Sequence, residues 1–435
     1  LDFQLNTQAE QIFDQPNRFP VLPFSERSPR GSNRNIELPM KITKIDCHVL
    51  LDPGYDAGST SSSQDDIVVE IHTDGGISGI GETDLNAWVA RACIEAPGTH
   101  TMDQGLAQML IGADPMKVEE LWEKLYVGSA MTGRRGAVIH AIGALDMALH
   151  DLRAKALGKP CWELLGGRAQ EAITPYASLQ PEVGSWDRYC ESLIEWLRLA
   201  QRRGFRAAKL EITPFGPYKH KGLDAGPREM TALIRAARNE VGPGFVRMVD
   251  VQYAFPDADT CLRAIAPWSE FDLFFVETPL PADDLAGYAR LAREQKISIA
   301  AGEWLATRFE FLDLMDRGRI RVAQPDVGRV GGFTECRRVC DLAAARNLTV
   351  VPHLWKTGLS IAAAVHMAAA TPHCAFIEYL PEDLCVSRLR KELVKRTPAM
   401  ANGKILVPDS PGLGIELDRD ALGRFKEAAK RAVSA

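Results

Sequence analysis

The 435-residue chain is predicted to be of the α/β class: a closed (β/α) barrel that follows a smaller α+β domain. Three observations predict it. After Gly167, short apolar runs alternate with amphipathic segments of helix length, as parallel strands with intervening helices do. From the third run onward the runs start 22–29 residues apart, which fits a strand, a helix and two loops. Eight such units in about 210 residues suit a closed barrel better than an open sheet.

In chain order, residues 1–39 are rich in Asn, Gln, Pro, Arg and Ser, have no sustained period, and read as an extended arm. Residues 40–167 read as the small domain. KITKIDCHVL (from Lys41) and DIVVEIHT (from Asp66) are strand-like, Asp74-Gly75-Gly76 is a turn, and ISGIGET (from Ile77) is a third short run. The Gly/Ser-rich loop 51–65 reads as mobile. A helical period begins near Met102. PMKVEELWEKLY opens on Pro115 after Asp114, a helix start, and the Ala-rich stretch 137–157 stops at Gly158-Lys159-Pro160. Residues 168–384 hold the barrel runs: AITPYASL (172), AAKLEI (207), FVRMVDVQ (245), DLFFVETPL (272), ISIAAGEW (297), RIRVAQPDV (319), LTVVPHLW (348) and CAFIEYL (374). Residues 385–435 carry the turn Asp409-Ser410-Pro411-Gly412 and a final helix of mixed charge, and read as returning to the small domain.

Composition narrows the function. With 46% hydrophobic and 25% charged residues the chain is that of an ordinary globular enzyme. A net charge of −6 without a basic block argues against nucleic acid as a partner. Nine scattered cysteines, an odd number and none in CxxC spacing, argue against a disulfide framework or a zinc knuckle. A cytoplasmic location is expected. The longest apolar stretch, Leu359–Ala370, is too short for a bilayer, and no apolar signal segment is visible.

The chemistry sits at the ends of the runs. Lys209 and Glu211 are followed by Asp250, Glu277, Glu303, Asp326, His353 and Glu378, in steps from Asp250 of 27, 26, 23, 27 and 25 residues. Strand ends on one face of a barrel converge on one centre. Three carboxylates on successive strands, Asp250, Glu277 and Glu303, repel one another unless a cation neutralises them. All-oxygen donors suit a hard divalent ion, Mg²⁺ above all when positions are left for substrate. Any one of these acids alone reads equally well as a helix cap; the whole series does not. Asp326 and His353 close consecutive strands, and an Asp that orients a His raises its basicity and makes it a general base.

Six segments then show a resemblance. AIGALDMALHDLRAKALGKPCWELLGG (141–167), MVDVQYAF, FVETPL, AAGEW, QPDVGRVGG and VPHLW, in this order, resemble the mandelate racemase subgroup of the enolase superfamily, from about Lys41 to Leu417. The resemblance implies a modified (β/α)7β TIM barrel under an N-terminal α+β capping domain. It implies Mg²⁺ on Asp250, Glu277 and Glu303, the Asp326–His353 dyad as acid and base, and Glu378 hydrogen-bonding the substrate carboxylate. It implies α-proton removal through a metal-stabilised enediolate, and a homo-oligomer, dimer or octamer.

One departure matters. Many subgroup members carry Lys-x-Lys at the end of the second barrel strand, the second Lys being a base. Here the tripeptide is Lys209-Leu210-Glu211. An ionised carboxylate is a weaker base, so racemisation, which needs bases on both faces, is disfavoured against dehydration, which needs one. Glu211 acts on substrate or forms a structural salt bridge to Lys209 or a neighbour. Lys209 offsets carboxylate charge. Loop 213–227 is similar to that of acid-sugar dehydratases of the L-rhamnonate dehydratase type. The expected activity is therefore a hydro-lyase that converts a sugar acid (an aldonate) to its 2-keto-3-deoxy acid. The alternatives are an epimerase, racemase or cycloisomerase using the same enediolate, and a non-catalytic metal-binding homologue. The substrate contacts expected are Lys209, Gln252, Trp304, Trp88, Arg135 and His220, the last in a basic loop that reads more readily as solvated.

Overall fold

A computed structural model describes residues 40–434 apart from 60, 180, 381–384 and 386. The arm expected at 1–39 lies outside the described residues.

Period-two alternation builds the first layer. Ile42–Leu51, Asp65–Thr73 and Ser78–Thr83 form an antiparallel sheet in chain order. Its middle strand is buried on both faces, so alternation sorts its residues between two cores. Ile67, Val69 and Ile71 join the capping-domain core, whereas Val68 joins the core that continues into the barrel. The helix Ala137–Ala156 covers this sheet and is buried nearly all round, because the barrel helices Val327–Val330 and Gly332–Ala344 press on its other side. Glycine makes that approach possible. A Cβ on Gly81 would strike the carbonyl of Ala144, and one on Gly143 would lie 2.7 Å from the carbonyl of Gly328. The preceding helix begins at Val118, not at Pro115, because the Asp114 carboxylate accepts the Met116 amide (2.9 Å) and makes a turn first.

The barrel strands are Pro175–Leu179, Ala207–Glu211, Val246–Asp250, Leu273–Glu277, Ile299–Ala301, Val322–Ala323, Thr349–Val350 and Ile377–Tyr379, all paired in parallel. The first seven follow chain order and the eighth lies beside the first. A parallel bridge from Val350 to Cys374, just before the eighth strand, closes the ring. A helix follows each of the first seven strands, from Trp186–Arg202 to Gly358–Ala369, which is the (β/α)7β arrangement. The run AITPYASL splits: Ala172–Ile173 pairs antiparallel with the tail strand Lys404–Leu406, and the barrel strand begins at Pro175.

Inside the barrel, alternation lays two storeys. Tyr176, Ala207, Met248 and Phe275 form an apolar layer. The residues two further along each strand, Ser178, Lys209, Asp250 and Glu277, form a polar layer above it at the C-terminal ends. The final helix, Arg419–Ser434, lies against Ile42–Leu51, and Arg419 pairs with Glu70. Among the described residues no helix is long and apolar enough to cross a membrane, and all nine cysteines are free thiols.

Candidate active site

Lys209 is the hub of the polar layer. Its ammonium lies 2.9 Å from Glu277 Oε1, 2.9 Å from Glu378 Oε1 and 3.4 Å from Asp250 Oδ2, and the residue is only 3% exposed. One cation among three carboxylates leaves negative charge uncompensated. Burial and the neighbouring Glu277 push the Asp250 carboxyl well up, and burial also raises Glu277, whose Oε2 has no hydrogen-bond partner among the described residues. Glu378 behaves oppositely. Despite burial, Lys209, His353, the Ser178 hydroxyl (2.6 Å) and the Leu354 amide (2.9 Å) hold it at about 2. In this arrangement Glu378 is an acceptor, whereas the expected hydrogen bond to a substrate carboxylate would need it to donate a proton.

Facing this shell is His353. Its Nδ1 lies 2.7 Å from Asp326 Oδ2, and the other oxygen of Asp326 accepts the Gly328 amide at 2.7 Å, which fixes the carboxylate. With Nδ1–H given to Asp326, Nε2 is the working nitrogen. It lies 3.2 Å from Glu303 Oε2 and 3.9 Å from Glu378 Oε2. Burial and Arg329 press the imidazole pKa down, but Glu378, Asp326 and Glu303 more than offset them and raise it to about 9.

Three residues that sequence reasoning missed complete the setting. Arg329 donates to the Glu303 carbonyl (3.1 Å) and to Asp84, a capping-domain residue. Lys356 lies 3.4 Å from the other Asp84 oxygen. Arg329 stands within QPDVGRVGG and Lys356 three residues after His353, so both lay inside or beside motifs already singled out; nothing in the sequence marked Asp84. Among the described residues, the donors of Asp84, Asp326 and His353 form the one group within 4.8 Å that is able to hold a metal. That group has less need of one. Arg329 and Lys356 already neutralise Asp84 and, against burial, hold its carboxyl far below the ordinary range. The unsatisfied charge, and the orphaned Glu277 oxygen, lie instead with Asp250, Glu277 and Glu303. Those donors suit a hard cation, with Lys209 standing among the first two and Glu303 turned to His353.

A cavity of about 400 Å³ opens above, lined by Lys209, Glu211, Asp250, Gln252, Glu303, Trp304, His353 and Glu378 among the expected residues. Ser59 and Ser62 of loop 51–65 and Tyr218 and Lys219 of loop 213–227 also line it. Tyr253 stacks on Trp304 with ring centroids 4.1 Å apart, and Tyr218 meets Trp304 edge-on at 5.2 Å. Gln252 and Tyr253 hold φ of 43° and 59°, a strained turn that aims both side chains at the rim. Loop 51–65, expected to be mobile, is tied down by Trp355, Lys356 and Ser387.

Other expected contacts do not meet in this cavity. Trp88 packs against the capping-domain core. Arg135 pairs with Glu310 at 3.0 Å and Asp283 at 3.7 Å on a separate surface groove. Glu211 pairs with His220 rather than Lys209, and its carbonyl accepts the Tyr189 hydroxyl. Burial presses His220 down, and Glu211 more than compensates.

Comparison with known proteins shows the family and agrees with the fold. The model of the mandelate racemase / muconate lactonizing enzyme N-terminal domain matches residues 41–166, and that of the enolase C-terminal domain-like family matches 192–421. The chain is 32% identical over 402 residues to a D-galactarolactone cycloisomerase of Agrobacterium fabrum, covering 89% of this chain and 99% of that protein. It is 30% identical over 359 residues to an L-rhamnonate dehydratase of Saccharopolyspora erythraea, covering 81% and 83%. The fold matches the crystal structure of a racemase from Streptomyces coelicolor A3(2) with bound magnesium at a TM-score of 0.74 and 27% identity, covering 88% and 99%.

Proposed function

The chain belongs to the mandelate racemase / muconate lactonizing enzyme family of the enolase superfamily, and from that premise we propose that this enzyme is a Mg²⁺-dependent hydro-lyase of a sugar acid. The observation that carries the proposal is a surplus of buried carboxylate, centred on Lys209, facing a His353 whose Nε2, beside Glu303, opens on the same cavity. Asp250, Glu277 and Glu303 are the residues that would hold the metal. Bound there, Mg²⁺ supplies positive charge against the substrate carboxylate. Lys209 adds a second positive charge where negative charge grows as the α-proton leaves. His353, in its form deprotonated at Nε2, takes that proton there, Asp326 keeping Nδ1 protonated. The same imidazole returns a proton to the 3-hydroxyl as it departs, and the resulting enol becomes the 2-keto-3-deoxy acid. We further propose an aldonate as substrate and a cytoplasmic homo-oligomer, dimer or octamer, as the working form.

A second reading is a cycloisomerase or epimerase. It is favoured by the Glu211–His220 pair, which puts a polar group on the second-strand wall of the cavity, and by the likeness to a cycloisomerase. The test is a stereochemically complete panel of aldonic and aldaric acids and their lactones, incubated with Mg²⁺. Formation of a 2-keto-3-deoxy acid, abolished in His353→Asn, supports the hydro-lyase. Exchange of the α-proton in D₂O without loss of water moves the assignment to the second reading. A His353→Asn variant that retains every measurable function would leave only a non-catalytic, metal-binding role.

A further inference from the structure

The segment that carries the base also holds the roof of its cavity. From His353 to Thr357, successive side chains or amides find partners in the barrel and then in the capping domain. His353 meets Asp326, and the Leu354 amide meets Glu378. Trp355 Nε1 donates to Ser61 Oγ (3.3 Å). Thr357 donates through its amide (3.1 Å) and hydroxyl (2.6 Å) to Glu82. Between them Lys356, 1% exposed, donates to the Ser62 carbonyl (2.6 Å), the Asp65 carbonyl (2.8 Å) and Asp65 Oδ1 (3.2 Å).

An ammonium has three protons to give, and all three go to the strap Ser61–Asp65, two of them to main-chain carbonyls. Asp84 adds a second negative charge at 3.4 Å. A buried ion pair is a poor way to gain stability, since apolar side chains of equal volume serve as well or better. What a buried ammonium with three directed bonds supplies is one geometry of the strap. Ser62, whose carbonyl takes the shortest of the three bonds, lines the cavity.

We propose that Lys356 is a positioning residue that holds the strap Ser61–Asp65 shut over the cavity and thereby sets substrate affinity. It touches neither the proposed metal ligands nor the reacting atoms. The link to substrate affinity rests on the function proposed above; the link to the strap does not.

The experiment compares the full-length protein with Lys356→Met by amide hydrogen exchange of peptides from loop 51–65, with the barrel strand Val246–Asp250 as internal reference. The expected result is strap exchange about tenfold faster or more while the reference strand is unchanged. On the acid sugar identified by the panel, KM rises about tenfold with kcat changed by less than about threefold, since His353 keeps Asp326. Strap exchange that stays at the wild-type rate in the folded variant overturns the proposal, and so does a strap that loosens only in step with the reference strand. If Lys356→Met does not fold, the same exchange measurement is made on Lys356→Gln, which keeps a polar side chain but removes the charge and shortens the reach to the strap. Faster strap exchange over an unchanged reference strand again supports the proposal, and the same two outcomes again overturn it. If no acid sugar is turned over, exchange alone decides, so this inference can fail or stand independently of the proposed activity.

Discussion

His353 has Nδ1 held by Asp326, so Nε2, beside Glu303, is the nitrogen presented to the cavity. Removing the imidazole should therefore remove turnover and leave the carboxylate shell. His353→Asn is expected to lower kcat by about 10³-fold, with Mg²⁺ affinity by titration calorimetry within a few-fold of wild type; a large loss of affinity would contradict the ligand assignment. Lys209 is the complementary case. Lys209→Met strands buried carboxylates without their counter-charge, a change that costs about 3–5 kcal/mol for a buried pair. The metal-free variant should melt well below wild type, and a given Mg²⁺ concentration should raise its melting temperature more than it raises that of wild type, because the ion meets more uncompensated carboxylate in the variant and binds its folded state more tightly. Equal Mg²⁺ shifts in both proteins would argue that the ion lies elsewhere.

Paired charges also join elements on the far side of the capping sheet. Glu70, on the middle strand, meets Arg419 of the final helix and His48 of the first strand, whose Nε2 is 2.8 Å away. Burial opposes its ionisation, yet His48 and Arg419 bring its carboxyl from the ordinary 4.5 to about 2. A depressed folded-state pKa contributes stability above the unfolded value and loses it as the pH falls through the folded one. This contribution is thus full above about pH 4.5 and drains away towards pH 2. Glu70→Gln is expected to flatten that limb of a denaturation-midpoint profile and leave the slope above pH 6 unchanged. The capping elements were also the better part of what the sequence disclosed. Alternation and the turn at Asp74 marked all three strands, and the stop at Gly158 marked the end of the long helix. The start of the helix at Val118 was misplaced because a side chain, Asp114, competed locally for the amide that a helix would have used.

At the scale of the whole molecule, residues 40–434 belong to one compact unit. The seam between capping domain and barrel is a backbone-to-backbone contact at Gly143, where an added methyl would sit 2.7 Å from the Gly328 carbonyl and 3.1 Å from the Gly332 amide. Main chain on both sides leaves nothing flexible to yield. Gly143→Ala should cost about 1–3 kcal/mol of overpacking, seen as a lower urea midpoint with an unchanged m-value in a single transition. Two separated transitions would show the domains to be less coupled than this seam implies.

What the sequence by itself determined was the existence and order of the elements with a local period or a regular spacing, though not every boundary. Barrel strands announce themselves by apolar runs one βα unit apart, and a residue at the end of each run is carried to the same rim whatever its partners. That is why Lys209, Asp250, Glu303, His353 and Glu378 are legible as one group in the sequence, and why the family is legible from six motifs in order. Only the tertiary structure decided which of these groups touch. That Lys209 sits among three carboxylates, that Glu211 turns to His220, that Lys356 meets Asp84 and the strap Ser61–Asp65, and that Trp88 and Arg135 find partners away from the cavity all follow from pairings set by rotamers and packing. Asp84 and Arg329 are 245 residues apart; no periodicity spans that interval, and only the folded chain, with water excluded between them, makes their charges neighbours.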